Sequence, residues 1–213
     1  MTQKLLPQKP ARPQPARAWA SAVAGAALGA LGMVVWQAPA SWLAAAVQQA
    51  THGRVQLRHA QGSVWNGRAI LVLTGGAGST GAAALPSPLQ WRLGLAGLGL
   101  RATLEAPCCT RQVLQLQLDR QGLQLLQGQL ALPMAMFSAL GAPWNSVALT
   151  GTLELRSQGF ALPLWPGQPG SAGEVVLEAR QVASRLSTLP ELGSYRVVLQ
   201  GGAPLAVRLS TLQ

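Results

Sequence analysis

The stretch VLQLQLD, Val113 to Asp119, sets Leu114, Leu116 and Leu118 on one side of an extended chain and Gln115 and Gln117 on the other. A period of two is the mark of a strand with one buried and one wet face; a helix would scatter the same leucines around its circumference. The pattern returns in LTGTLELR, where Leu149, Gly151, Leu153 and Leu155 alternate with Thr150, Thr152, Glu154 and Arg156. In LAVRLS, Leu205, Val207 and Leu209 oppose Arg208 and Ser210. Strands patterned this way pair in antiparallel sheets.

Working outward, roughly nine or ten such runs follow one another: 54–60, 68–74, 88–94, 97–105, 111–119, 122–132, 147–157, 174–182, 194–201 and 204–211. Gly, Pro, Asn and Ser clusters separate them. The expected fold is mainly β, an antiparallel β-rich domain over 54–213 built as a long curved sheet or a sandwich, with one or two short helices. PMAMFSALGAP has Pro133 at its start, Met134, Phe137 and Leu140 at helical spacing and Gly141 at its end, which predicts a helix. SWLAAAVQQAT (Ser41 to Thr51) predicts another, with Ser41 as N-cap and Gly53 as stop, inside a juxtamembrane segment 37–53. Thr188 to Leu192 reads as a turn or a short helix.

Towards the N-terminus the texture changes. Between Arg17 and Arg54 there is no Lys, Arg, Asp or Glu. AWASAVAGAALGALGMVVW, residues 18–36, reaches ~27 Å as a helix, near the ~30 Å of a bilayer core. Trp19 and Trp36 stand at its ends, where indoles favour the membrane interface. The tail 1–17 is rich in Pro, Gln and basic residues (Lys4, Lys9, Arg12, Arg17) and holds no acid. It is expected to be disordered and, by the positive-inside rule, cytoplasmic, with the body sent across a bacterial inner membrane to the periplasm. A cleaved signal peptide is the rival: Ala38-Pro39-Ala40 before Ser41 has the small-x-small pattern. The length of the apolar run and Pro39 favour a retained, single-pass anchor. Ser21, Gly25 and Gly29 form a small-residue stripe on it, suited to close packing against another copy or another membrane helix.

The net charge of +10 divides between the tail, with four positive charges, and the rest of the chain. Beyond the tail, twelve arginines face six acids and are spread thinly. No basic run interleaved with aromatics marks a nucleic-acid groove, so no nucleic-acid partner is expected. Two histidines, seven apart, predict neither a metal centre nor a triad. Asp119, Glu154 and Glu178 fall on the wet phase of their strands. The Gly-rich stretch from Leu73 to Leu85 lacks the lysine of a phosphate loop and reads as a connection between strands. No catalytic, cofactor or metal residues are assigned. Cys108 and Cys109 are adjacent; two free thiols, a vicinal disulfide and an intermolecular bridge all stay open, since an exported compartment permits disulfides.

Several motifs carry more. GSVWNGRAILVL (Gly62 to Leu73) places Val64, Trp65, Asn66 and Gly67 between two strands, with Asn-Gly as turn chemistry. LPSPLQWRL, the stretch from Leu126 to Phe160 containing LGAPWNSVALTGTLELR, and LSTLPELGSYRVVLQG follow in order. Taken together after an N-terminal anchor, they resemble type II secretion system protein N, over roughly Trp36 to the end. The motif residues are Val64, Trp65, Gly67, Gly141, Leu192, Gly193, Ser194 and Tyr195. The resemblance implies a non-catalytic accessory component of the inner-membrane platform that helps export folded proteins across the outer membrane, with other secretion components and the bilayer as partners and no cofactor. The resemblance also implies that family members run somewhat further than Gln213, which leaves open whether the C-terminus is truncated.

Trp65, Trp91, Trp144 and Trp165 are read first as core residues whose indole N–H finds a partner. Trp165, between Pro163 and Pro166, is the best candidate for contact with a partner protein. A second functional class also fits the leucine phase. A one-sided sheet on a membrane anchor could form an apolar trough for lipid or lipoprotein acyl chains.

Overall fold

The computed structural model of the chain describes residues 15–76, 81–164 and 170–212. The chain divides after Ala38 into two units. The first holds helix α1, Pro15–Trp36, whose 22 residues rise ~33 Å. Its stretch Trp19–Trp36 is long and apolar enough to cross a membrane, and none of it is buried in protein.

The second unit opens with helix α2, Ala40–Ala50. Its N-cap is Pro39 with no side-chain cap bond, so Ser41 sits inside the first turn and does not cap it as expected. Pro39 holds the extended backbone that the cap position needs and has no N–H to satisfy. At the far end Thr51 Oγ1 donates to the Val47 carbonyl at 2.7 Å and the Gly53 N–H to the Gln48 carbonyl at 2.7 Å. The helix read from PMAMFSALGAP is a 3₁₀ helix, Met134–Leu140, flanked by Pro133 and Gly141, and a further single turn, α3, follows it at Trp144–Val147.

Everything else is sheet. The strands are β1 Val55–Gly62, β2 Asn66–Thr74, β3 Ala82–Ala84, β4 Leu89–Ala96, β5 Gly99–Glu105, β6 Thr110–Asp119, β7 Gly122–Pro133, β8 Thr150–Ser157, β9 Phe160–Leu162, β10 Glu174–Ala183, β11 Gly193–Gln200 and β12 Ala206–Leu212. All twelve join one antiparallel sheet in the order β1-β2-β4-β5-β6-β7-β8-β10-β11-β12, with β3 on β2 and β9 on β7. Each of the ten expected runs is a strand. Of the two arrangements left open, the single sheet is the one present: among the described residues no strand lies outside it.

The two short strands are continuations. Gly128 faces Ser157 and Leu125 faces Phe160, three residues back in β7 and three on in its partner. The β8 register therefore resumes unbroken in β9 after Gln158-Gly159. Between β3 and β4 the count slips: Val72 faces Ala84 but Ala69 faces Leu89, so two extra residues bulge out. Leu85 in that bulge tucks into the core, its N–H donating to the Leu71 carbonyl at 2.8 Å. Part of the Gly-rich connection is thus strand β3. In effect the sheet is a ten-strand meander, each strand paired with its neighbours in sequence.

The register aligns leucine with leucine. Leu57 faces Leu71, Leu104 faces Leu114, Leu116 faces Leu125, Leu130 faces Leu155, Leu155 faces Leu177, and Val197 faces Leu209. One aliphatic face therefore runs the width of the sheet. Helix α2 covers one end, where Ala40 and Leu43 pack with Leu57, Ala69, Trp91 and Leu104. Met136 of the 3₁₀ helix and Cys109 cover the middle, against Leu71, Leu85, Leu89, Leu130 and Leu132. These covers take the place of a second sheet. Towards β12 the cover stops, and Val207 and Leu209 stand 63% and 68% exposed.

Candidate functional site

On the opposite face, β8, β10 and β11 build a charged ladder. Two tripeptides, Glu154-Leu155-Arg156 and Glu178-Ala179-Arg180, each place an acid and a base two residues apart, on one side of a strand. The register then sets Glu154 directly across from Glu178, and Glu178 across from Arg196. Like charges in directly opposed positions repel, and both carboxylates are buried, at 5% and 4% exposure. What makes the pair tolerable is a ring of guanidinium groups. Arg180 donates from Nε and Nη2 to Glu178 Oε2 at 3.1 and 2.6 Å, and its Nε stands 3.9 Å from Glu154 Oε2. Arg196 donates from Nε to Glu178 Oε1 at 3.0 Å, with Nη2 at 2.8 Å. Arg156 reaches Glu154 at 3.2 Å, and Arg111 comes across from β6 to Glu154 at 3.3 Å.

The bonds from Arg180, opposed in part by burial and joined by those from Arg196, hold the Glu178 carboxyl below its ordinary value. Arg180 is raised in turn, first by its bond to Glu178. The acids are hidden while the bases are not: the four arginine side chains keep 43–58% of their surface in solvent. Four cations over two anions leave the patch positive.

Two open clefts flank the ladder. One, of about 720 Å³, is lined by Arg156, Gln158, Glu174, Glu178, Arg196 and Gln200 among others. The other, of about 570 Å³, is lined by Arg111, Thr152, Glu154, Arg180, Gln181, Ser194 and Leu212. The second lies beside a β-bulge: the pairing of β10 slips between Arg180 and Ala183, and Gln181 takes φ 51°. Ser194 Oγ accepts the Gln181 N–H at 3.0 Å and so fixes the bulge.

The motif residues sort into two structural units. Trp91 is 2% exposed and donates its indole N–H to the Val64 carbonyl at 3.0 Å. Gly67, opposite it, leaves room for the ring: a Cβ there would lie 2.5 Å from Trp91 Cζ2. Trp65 is half-buried, and its carbonyl accepts the Leu93 N–H at 2.6 Å. Asn66 and Gly67 do not form the turn as expected. They open β2, while the turn runs through Ser63 to Trp65, closed by the Ser63 N–H on the Asn66 carbonyl at 2.9 Å. Gly62 at φ 88° supplies the left-handed residue instead. At the other end, the Leu192 N–H donates to the Val182 carbonyl at 2.7 Å and the Tyr195 hydroxyl to the Leu192 carbonyl at 2.9 Å. Leu192, Gly193, Ser194 and Tyr195 thus close the β10–β11 hairpin across the bulge. Gly141, at φ 82°, ends the 3₁₀ helix.

The remaining candidates stay apart from the ladder. Ser21, Gly25 and Gly29 lie on α1, with nothing within 4 Å of where a Cβ would stand at either glycine. Trp19 and Trp36 are exposed at 75% and 78%. Cys108 and Cys109 are joined by a disulfide in the turn after β5, with Cys109 in the core cluster. Trp144 is half-exposed, and Trp165 lies outside the described residues. Among the described residues no group of three His, Cys, Asp or Glu side chains could hold a metal ion. Reading Glu154 and Glu178 as wet missed the ladder; the repeated Glu-x-Arg spacing is the signal that finds it.

Compared with known proteins, residues 53–211 match the family model described as type II secretion system (T2SS), protein N. No curated protein and no solved structure matches the chain.

Proposed function

Because the chain belongs to the type II secretion system protein N family, we propose that it is a non-catalytic inner-membrane accessory of that system, acting through protein contacts of a periplasmic sheet. The observation that carries this reading is the family match itself, which covers the whole meander from before β1 into β12. The helix α1 supports a single-pass anchor with a cytoplasmic tail, since it meets the length and composition of a span and the residues before it are basic. Its Ser21, Gly25 and Gly29 stripe suits self-association or packing with another secretion-system helix. Other inner-membrane and periplasmic secretion components are the partners this assigns.

The test is secretion in a strain deleted for the gene, beside a complemented strain. Cargo held in the periplasm and released on complementation is expected. Unchanged secretion would remove the reading.

The aliphatic face favours a second reading, an envelope lipid-binding protein. Val207 and Leu209 extend an unbroken row of leucine and valine into solvent. Phospholipid retained by the detergent-purified chain and lost on Val207→Asp with Leu209→Asp would support it; a lipid-free preparation would not.

A further inference from the structure

Resting on the first of those readings, we infer that the arginine ladder on β6, β8, β10 and β11 is a docking surface for an acidic segment of a partner protein. The cations are immobilised before any ligand arrives. Guanidinium groups on long stems ordinarily lose rotamer freedom on binding. Here Glu154 and Glu178 have already fixed Arg156, Arg180 and Arg196 at 2.6–3.2 Å. Because the two acids are buried, a ligand approaching from solvent meets arginine, not glutamate. Charge-assisted forks of this kind select planar carboxylates and phosphates.

The spacing narrows the choice. Four strands' separation from β6 to β11 spans about 19 Å at the usual inter-strand distance. The cations divide between the two clefts, Arg156 and Arg196 lining one, Arg111 and Arg180 the other. Negative charge that engages both must arrive as separate groups on a chain, one seated in each cleft, which a single phosphate cannot supply. The cleft holding Arg111 and Arg180 adds the hydroxyls of Thr152 and Ser194, and the acid among its described lining residues, Glu154, is buried. The other holds Arg156 and Arg196, with one exposed acid, Glu174, in its lining. Among the described residues no aromatic side chain lines either cleft to stack on the bases of a nucleic acid. Carboxylates spaced along a polypeptide fit all of these features.

The probe is a fluorescein-labelled decapeptide of alternating Glu and Ser, titrated by anisotropy against the detergent-solubilised full chain at low salt, with pyrophosphate and a ten-residue oligothymidylate as competitors. Arg111→Gln leaves Glu154 with Arg156 and Arg180, so it tests the patch without stranding a buried charge. Thr152→Asp adds a competing carboxylate while leaving every ion pair in place. Each is expected to weaken binding at least fivefold. Arg58→Gln with Arg92→Gln, on the same face at the other end of the sheet, should change it less than twofold. Equal affinity in wild type, Arg111→Gln and Thr152→Asp overturns the inference, as does an equal loss in the distant pair. Tighter binding of either phosphate competitor overturns it in favour of a phosphate or nucleic-acid site. Complementation separates this from the parent reading: an Arg111→Gln, Thr152→Asp double variant that restores secretion fully sinks the docking surface alone, whereas secretion unaffected by deletion sinks the proposed function while the peptide titration stands.

Discussion

Gly151 carries more of the ladder than its missing side chain suggests. Its φ of 117° lies in the left-handed half of backbone space, and a Cβ there would come within 2.5 Å of the Arg180 carbonyl and 2.7 Å of that of Gln181. The backbone of β8 can approach the bulge in β10 only at a glycine. Gly151→Ala should cost about 2 kcal/mol in chemical unfolding of the full chain; an unchanged midpoint would show that the bulge relaxes. Glu178 makes a second residue-scale prediction. Its folded-state value lies below that of an unfolded glutamate, near 4.3. The stability it contributes is therefore complete above that value and is lost as pH falls through the folded value. Wild type should show a falling melting temperature below about pH 4.5, and Glu178→Gln a shallower fall in the same window. At neutral pH the variant should be weaker by about 1–2 kcal/mol, since its arginines are half in solvent and find water. The clash of Glu154 and Glu178 was not legible in the sequence, because period-two alternation gives the face of a residue and not its cross-strand partner. That partner is set by register, here by the bulge in β10, which slips between Arg180 and Ala183 against β8 and between Ala179 and Val182 against β11.

Among the elements, strand identity was the most legible property: alternation such as Leu114-Gln115-Leu116 needs no tertiary information to be read. Caps and turns were less so. Ser41 and Asn66 are good chemistry for the roles expected of them, yet Pro39 and Gly62 already held the required backbone angles, which left Ser41 as the second residue of α2 and Asn66 as the first of β2. The contact of α2 with the sheet gives a further prediction. Ala40 is 1% exposed and packs with Ala69 and Trp91, so Ala40→Leu should overpack the site and destabilise by about 1–3 kcal/mol in thermal or chemical unfolding. Trp91→Ala should cost more, about 3–5 kcal/mol, because it empties that cluster and leaves the Val64 carbonyl without its indole donor. On α1, Gly25→Leu with Gly29→Leu should lower association in a membrane two-hybrid assay if the small-residue stripe is a contact surface. Equal signal would make the stripe plain membrane-helix composition.

At the scale of the molecule, the sheet's two chemistries were half legible. The aliphatic row could be anticipated from each strand alone, but its continuity across ten strands depends on every hairpin keeping phase. The choice of one sheet over a sandwich was not written in the alternation, since both arrangements need the same pattern. What decides it is the presence of other covers, α2 and Met136, over the buried face. Hydrogen exchange should follow this layout. Amides of β7 and β8, paired on both sides and next to the 3₁₀ helix that joins them, should exchange slowest, and those of β12, paired only with β11 among the described residues, fastest. Equal protection in β12 would reveal another strand on its edge. The meander has one more consequence. In a sandwich or a Greek key, long connections tie distant strands together, and removing one unseats the rest. Here each strand pairs only with its neighbours in sequence, and the tie between distant strands is the 3₁₀ helix, whose Met136 packs back on Leu71, Leu85 and Leu89. Adding or deleting a hairpin at one end would change its span in steps of two strands, with no other connection rerouted. A protein that must bridge a gap of variable width could be tailored this way, by the yard.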